Sequence, residues 1–398
     1  MKVLNRSALF FMKELDTAEK RLQPFSVFNQ LRETTPIRYD HERQCWDLFL
    51  YEDVHEILKT HAVFSSERKR TLEANTILTM DPPRHTKMRN IVNKAFTVKS
   101  VQNLAPRIQE IVHQLIDLII QQGQMEVVRD LSAPLPVIMI AELLGVPKED
   151  RLLFKEWSDV AIKGVDQYTE EHLAAVAAEH KKAQIELSQY FTDMMNQRRT
   201  EPKDDLITAL LRAEVDGEKL TDKEIIDFCI LLLIAGNETT TNLITHGIRL
   251  LTEQPDIQEQ VAQDSALIPS FIEETLRYYP PVLGVSRVAK QEIEIYGQKI
   301  HQGEVVMAWV AAANRDPRVF SDPDTFVVNR TPNHHLTFGK GIHFCLGAPL
   351  ARLEAKIAFE EIFKRLTEIR LQKGTKVEIN PSPLLYGLKE YPVTFQTV

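Results

Sequence analysis

Residues 335–352 read HLTFGKGIHFCLGAPLAR and contain one of only three cysteines in a chain of 398 residues. Cys345 follows two glycines, with a histidine two residues before it and a third glycine two residues after it. Glycine permits backbone conformations that are closed to other residues, and it lets another group approach closely. The stretch therefore predicts a tight loop that packs against a flat or bulky group and leads into a helix that starts near Pro349.

The position of Cys345 allows three chemical interpretations. A cysteine just before a helix N-terminus lies near the positive end of the helix dipole, which favours a thiolate. It could be a buried, inert side chain, a nucleophile with His343 as its base, or a single axial thiolate on haem iron. Residues two apart in sequence do not usually face each other, which weakens the second interpretation. A structural zinc site needs four ligands, and the chain has no CxxC pair.

The ten residues FGKGIHFCLG provide a more specific signal. They resemble the haem-binding loop of the cytochrome P450 family, Phe-Gly-x-Gly-x-His-x-Cys-x-Gly. All fixed positions of that pattern match, at Phe338, Gly339, Gly341, His343, Cys345 and Gly347. The resemblance implies that Cys345 is the axial ligand of haem iron and that Phe338, Gly339, His343 and Gly347 also bind the cofactor, with His343 at a propionate.

A second motif is EETLR, which places Glu274 and Arg277 three residues apart. On a helix such residues share a face and can pair, as they do on many solvated helix surfaces. The motif is similar to the Glu-x-x-Arg helix of the same family, where the pair has a structural role. The resemblance implies Arg330, in DTFVVNR, as the third partner.

A long, central helix is predicted from a capping box at Thr221 to about Leu251, and it contains AGNETT. Its polar residues could face solvent, but the apolar run before them indicates that this section is buried. In the family the corresponding stretch bends over the distal haem face. The resemblance implies that Ala235 makes room for dioxygen, that Thr239 supplies a hydroxyl to oxygen activation, and that Glu238 relays protons. The family often has Asp at the position of Glu238.

The stretch MDPPRHTKMR places His85 and Arg89 on one helical face. Taken alone, they would be surface residues. A buried propionate needs a partner for its charge, and arginine is well suited to a carboxylate. The resemblance implies that His85, Arg89 and Arg287, in GVSRVA, bind the haem propionates.

The expected fold is mainly α-helical with a smaller β-rich region, in one cytochrome P450 domain over residues 1–398. The β-rich parts are expected at about 30–60 and 285–310. The resemblance implies a triangular prism with the long helix over the haem.

Charge and cysteine content restrict the partners and the compartment. With 48 basic and 56 acidic residues, the net charge of -8 disfavours nucleic acid and anionic membranes as partners. Three scattered cysteines indicate a reduced, cytoplasmic protein. No apolar run approaches the roughly 20 residues that span a bilayer, so no membrane anchor is expected.

The resemblance implies a haem b monooxygenase that inserts one atom of dioxygen into a hydrophobic small molecule, such as a fatty acid, a terpenoid or a steroid. Electrons would come from NAD(P)H through a reductase and a ferredoxin or flavodoxin, with Lys340, Arg352 and Lys356 as a basic docking patch on the cysteine side. The expected substrate pocket is mainly apolar. It is expected to include Ile77, Leu78, Leu232, Ala235, Val282, Leu283, Val285, Leu384 and Leu385.

Three other functions remain open at this point. Some family members use hydrogen peroxide directly, but those lack the acid–threonine pair that this chain has at Glu238 and Thr239. A haem-binding sensor or carrier would need no such pair. A haem-free protein would keep Cys345 as a buried thiol.

Overall fold

The computed structural model describes residues 11–67, 76–95, 97–162, 170–215 and 217–398. The helices, in chain order, are α1 (Ala18–Leu22), α2 (Phe25–Thr34), α3 (Tyr51–Lys59), α4 (Arg84–Ala95), α5 (Val98–Gln102), α6 (Ala105–Ile119), α7 (Pro134–Leu144), α8 (Arg151–Ile162), α9 (Glu170–Thr200), α10 (Leu206–Arg212), α11 (Asp222–Glu253), α12 (Pro255–Gln263), α13 (Ile268–Tyr278), α14 (Val310–Ala313) and α15 (Ala348–Arg365). The strands are β1 (Ile37–Asp40), β2 (Cys45–Leu48), β3 (Phe64–Ser65), β4 (Gln124–Glu126), β5 (Glu214–Val215), β6 (Glu218–Lys219), β7 (Val285–Ala289), β8 (Ile293–Ile295), β9 (Gln298–Ile300), β10 (Val305–Ala308), β11 (Leu366–Leu371) and β12 (Pro392–Thr397).

The chain divides into two compact units, each built from separate stretches of sequence. The first contains the described residues before 73, together with Asn242–Ala348 and Glu368–Thr394. The second contains the described residues between 73 and 241, together with Pro349–Thr367 and Phe395–Val398. Helices dominate the second unit, whereas the first contains the largest sheet.

The main sheet of the first unit has the strand order β1-β2-β10-β7-β3. β1 and β2 form an antiparallel hairpin in which Ile37 pairs with Leu48. β10 runs parallel to β2 and antiparallel to β7. One face of the sheet buries Trp46, Leu48, Val306 and Ala308 against α3, whose Val54, Ile57 and Leu58 are also buried. Their spacing of three and four residues is that of a helix with one apolar face.

The remaining sheets are small. A three-stranded sheet has the order β11-β12-β4, and two-stranded hairpins are formed by β5 with β6 and by β8 with β9.

The long helix α11 begins where its sequence signal places it. The backbone N–H of Thr221 donates to Glu224 Oε2 at 2.9 Å, and the backbone N–H of Glu224 donates to Thr221 Oγ1 at 3.3 Å. This reciprocal pair is the capping box read from the sequence. The helix ends at Glu253, within two residues of the predicted end, and continues as an α-helix through AGNETT.

Within the described part of the chain, α11 is also the one helix long and apolar enough to cross a membrane by length and composition. Its most apolar window is 67% buried inside the protein, as expected of a core helix.

Candidate active site

The cysteine loop of the first unit is closed by short backbone hydrogen bonds. The N–H of Gly339 donates to the Leu336 carbonyl at 2.8 Å, and the N–H of Cys345 donates to the Phe338 carbonyl at 2.9 Å. A single 3-10 turn, Gly341–His343, lies between these two bonds. Gly339 has a φ of 72°, in the left-handed region that favours glycine. The backbone therefore fixes where Cys345 lies.

Gly341 lets another element approach the loop. Its φ is 65°, and a Cβ added there would lie 2.9 Å from the carbonyl oxygen of Lys59. Because Lys59 is the last residue of α3, the C-terminus of that helix supports the loop directly.

Cys345 differs from the other two cysteines in its exposure. Cys45 and Cys229 are buried, whereas Cys345 is exposed. Burial raises the pKa of the Cys45 thiol to about 12 and raises that of Cys229 as well. Those two thiols are therefore held neutral, whereas Cys345 lies exposed three residues before α15 begins.

The donor set at Cys345 fits a haem better than a metal ion held by side chains alone. Among the residues that the structure describes, no three His, Cys, Asp or Glu side chains come together as ligands of one ion. A Cβ on Gly347 would lie 4.0 Å from Cys345 Sγ, so the neighbouring residue leaves space beside the sulfur. One accessible sulfur on a rigid loop suits a cofactor that needs a single soft axial ligand.

Three further candidate cofactor residues of the first unit are Arg287, His343 and Phe338. Arg287 lies on β7 and is 5% exposed, and its Nη1 donates to the Ser286 carbonyl at 2.9 Å. His343 is half-buried within the 3-10 turn. The ring of Phe338, at the start of the loop, lies 6.3 Å from that of Phe344.

The structure brings Glu274, Arg277 and Arg330 together in the first unit. Arg277 donates two hydrogen bonds to the Glu274 carboxylate at 2.7 and 2.8 Å, and Arg330 Nε donates at 3.0 Å. The backbone N–H of Val327 also donates to Glu274, at 2.9 Å. Arg277 donates to the carbonyls of Asn314, Pro323 and Thr325 as well. Since Glu274 and Arg277 are fully buried, this network fixes the loop that precedes the cysteine stretch.

In the second unit, the predicted oxygen-activating residues lie on two faces of α11. Leu232, Ala235 and Thr239 follow one another at helical spacing along one side of α11, where Ala235 is exposed and the other two are half-buried. Glu238 is 8% exposed, on a more buried side of the helix. Thr239 Oγ1 donates to the Ala235 carbonyl at 2.8 Å. The Thr239 hydroxyl is therefore held on the more exposed side of α11, and the residue before it, Glu238, carries a buried carboxyl.

His85 and Arg89 lie one turn apart on α4, also in the second unit. His85 is 2% exposed and Arg89 is half-buried. The N–H of His85 donates to the carbonyl of Asp81, at the start of the helix.

The predicted substrate-pocket residues fall into two groups. In the first unit, Leu283 N–H donates to the Leu384 carbonyl at 2.8 Å, and Val282 forms a β-bridge with Leu385. These two segments are therefore neighbours, and Val285 follows at the start of β7. In the second unit, Ile77 is buried and Leu78 is 49% exposed. Residues 68–75, which precede Ile77 and Leu78 in the chain, lie outside the described residues.

Comparison with known proteins identifies the family to which the chain belongs. The family profile described as Cytochrome P450 matches residues 5–396. A relative from Bacillus spizizenii, Cytochrome P450 109, is 47% identical over 383 residues, which cover 96% of this chain and 94% of the relative. The chain belongs to the cytochrome P450 family.

Solved structures of cytochromes P450 agree with this assignment. Substrate-free CYP109E1 from Bacillus megaterium superimposes with a TM-score of 0.91 at 42% identity, covering 95% of this chain and 100% of that one. The same enzyme in complex with testosterone gives a TM-score of 0.90, covering 95% and 99%. These comparisons confirm the mainly helical fold with its smaller β-rich regions.

Family membership also establishes the class of activity. The protein is a cytochrome P450 monooxygenase, an oxidoreductase that uses haem and dioxygen.

Two buried polar residues on α11 and α15 are not assigned a role by any of the sequence motifs. Asn237, inside AGNETT, bonds to Ser158 on α8, and Glu354 lies buried on α15. A polar residue at an apolar helical position is the signal that could have marked each of them.

Proposed function

We propose that this cytochrome P450 oxygenates a hydrophobic small molecule, with a steroid or a fatty acid as the first candidates. The main support is the pairing of Val282 and Leu283 with Leu384 and Leu385, which places two apolar segments side by side. A relative of the chain, CYP109E1, was crystallised with corticosterone and with testosterone. An apolar pocket with few polar groups suits ligands of this class.

Haem b would be held by Cys345 as its axial ligand, with Phe338, Gly339 and Gly347 shaping the loop. His85, Arg89, Arg287 and His343 would bind the propionates, since guanidinium and imidazole N–H groups donate hydrogen bonds to carboxylates. When bound, the haem-thiolate supplies the oxygen-activating chemistry. Glu274, Arg277 and Arg330 would have a structural role.

Glu238 and Thr239 would deliver protons during turnover, next to Ala235. The Thr239 hydroxyl is held on the more exposed side of α11 by its hydrogen bond to the Ala235 carbonyl. A hydroxyl can donate one hydrogen bond and accept others, so it can pass a proton onward. The pair also favours use of dioxygen over direct use of hydrogen peroxide.

Electrons would reach the haem from NAD(P)H through a reductase and a ferredoxin or flavodoxin. Arg352 and Lys356 are one turn apart on α15 and can attract an acidic carrier, as can Lys340 on the cysteine loop. Lys356 also lies 3.5 Å from Glu360, which partly neutralises its charge. We further propose that residues 1–398 act as one cytoplasmic domain, which the match over residues 5–396 supports.

Titration of the purified, haem-loaded protein tests the substrate class. Testosterone and palmitate are each expected to shift the Soret band by displacing water from the iron, whereas glucose is not. Leu384→Glu is expected to weaken the response at least tenfold, because it introduces a charge among apolar side chains. Val398→Glu, at an 80% exposed position, is the control and should bind normally. If neither lipophile shifts the band in well-folded protein, the proposed substrate class is wrong.

A further inference from the structure

Asn237 is a polar residue at a buried position of α11, between Gly236 and Glu238. Its side chain is 3% exposed. Asparagine is a poor helix former, and burial of an unpaired amide costs about 1–3 kcal/mol. The surrounding helices must therefore supply hydrogen-bond partners for it.

Those partners lie on two sides. Asn237 Nδ2 donates to Ser158 Oγ on α8 at 2.6 Å, a fully buried bond. The single hydroxyl proton of Thr241 is shared between two acceptors, the Ser132 carbonyl at 3.1 Å and Asn237 Oδ1 at 3.3 Å. Both functional atoms of the amide are thus engaged, which fixes its orientation.

The residue before Asn237 is held closely as well. A Cβ added to Gly236 would lie 3.1 Å from Ile140 Cδ1, so α7 packs tightly against this turn of α11. Gly236 lets α7 approach closely, and that close packing limits further movement of α11 toward α7, while the hydrogen-bonded amide restricts rotation of α11. Successive side chains on a helix point about 100° apart, so fixing the direction of residue 237 also fixes those of Glu238 and Thr239.

We propose that Asn237 is a positioning residue for oxygen activation, and that its bond to Ser158 sets the directions of Glu238 and Thr239. The inference rests on the role proposed above for that pair. The proposal gives α8 a part in oxygen activation through Ser158, which lies 79 positions before Asn237 in the chain.

Infrared spectra of the ferrous carbon monoxide complex test this, because the C–O stretch responds to polar groups beside the ligand. Thr239→Ala is expected to shift or split the C–O band. Ser158→Ala is expected to change the band in the same direction. Ser158→Thr, which keeps the hydroxyl, should restore the original band. Trp157→Phe is the matched control, since the hydrogen bond that it removes joins α8 to Glu186 on α9, and its band should be unchanged.

Hydrogen exchange gives a second readout that does not depend on the haem ligand. Amides of residues 237–241 should exchange several-fold faster in Ser158→Ala than in Trp157→Phe. Thr241→Val, which removes the other bond to Asn237, should act in the same direction and covers the case in which Ser158→Ala does not fold.

The outcomes separate the two proposals. If Thr239→Ala moves the C–O band but Ser158→Ala and Thr241→Val do not, the inference about Asn237 is overturned while the role of Thr239 stands. If Thr239→Ala leaves the band unmoved, the proposed function of Thr239 is wrong. Loss of thermal stability in Ser158→Ala with an unchanged band would likewise overturn the positioning role.

Discussion

At the scale of single residues, hydrogen bonding separates two buried glutamates of α15 that look alike in the sequence. Glu361 accepts a hydrogen bond from Gln109 at 2.8 Å, and Lys364 donates to it at 2.7 Å. Glu354, two turns earlier on the same face, is 1% exposed, and its Oε1 has no hydrogen-bond partner among the described residues. Burial raises the pKa of the Glu354 carboxyl to about 8. The sequence could not predict this, because burial depends on helices distant in the chain.

Glu354 is expected to make stability depend on pH. The unfolded carboxyl loses its proton near pH 4.5, whereas the folded carboxyl keeps its proton until about pH 8. The free energy of unfolding therefore falls as pH rises through this window, by a few kcal/mol at most, and levels off above it. Glu354→Gln should flatten that decline, as measured by denaturant midpoints at pH 5, 6, 7 and 8. Glu360→Gln, at a half-buried position of the same helix, should retain it. Equal slopes in the two variants would contradict the burial argument.

At the scale of elements, hydrogen bonds and close contacts hold the cysteine loop and its neighbours. The motifs on α13 and in the loop were readable from sequence, because their spacing is local. The contact between α3 and Gly341 could not be predicted, because neither segment contains a sequence signal that points to the other. The same holds for Ser158 and Asn237, which lie on different helices.

The buried carboxylate of α13 provides an element-scale prediction. Glu274→Gln should lower the free energy of unfolding by about 3–5 kcal/mol, because it leaves Arg277 and Arg330 without their buried countercharge. Glu273→Gln is the control at the preceding position, where the side chain is 30% exposed and pairs with His335. Urea unfolding of both variants measures the difference. A similar midpoint for the two would show that the network contributes little.

Gly341→Ala tests the contact between α3 and the loop. The substitution carries two costs, namely the left-handed backbone, about 1–2 kcal/mol, and the clash with Lys59. Gly374→Ala carries only the first, since its φ is 82° with no atom within 4 Å of the added Cβ. Gly341→Ala should therefore be the less stable variant and should lose haem faster on dilution. Equal haem loss would mean that α3 does not support the loop.

At the scale of the whole molecule, each compact unit is assembled from stretches far apart in sequence. Composition and motifs indicated the fold class and the family. They could not indicate which buried polar groups would meet, because that depends on packing across the full chain. The candidate residues of α4, α11 and the loop were likewise known only as separate motifs.

Electron delivery is also a property of the whole molecule. Arg352→Glu should slow reduction by a ferredoxin or flavodoxin several-fold at low ionic strength, because it reverses a charge that attracts an acidic carrier. The effect should shrink in 0.5 M salt, where charges are screened over roughly 4 Å. Lys181→Glu, an exposed position on α9, is the control. Stopped-flow reduction rates that match wild type at low salt would exclude Arg352 from docking.

The most direct test of the account is the absorption spectrum of the reduced protein under carbon monoxide. With sulfur from Cys345 on the iron, the wild type should develop the strongly red-shifted Soret band typical of haem-thiolate proteins. Cys345→Ala should lack that band. Folded, haem-loaded wild type without the band, or Cys345→Ala that keeps it, would contradict the assignment of Cys345 as the axial ligand.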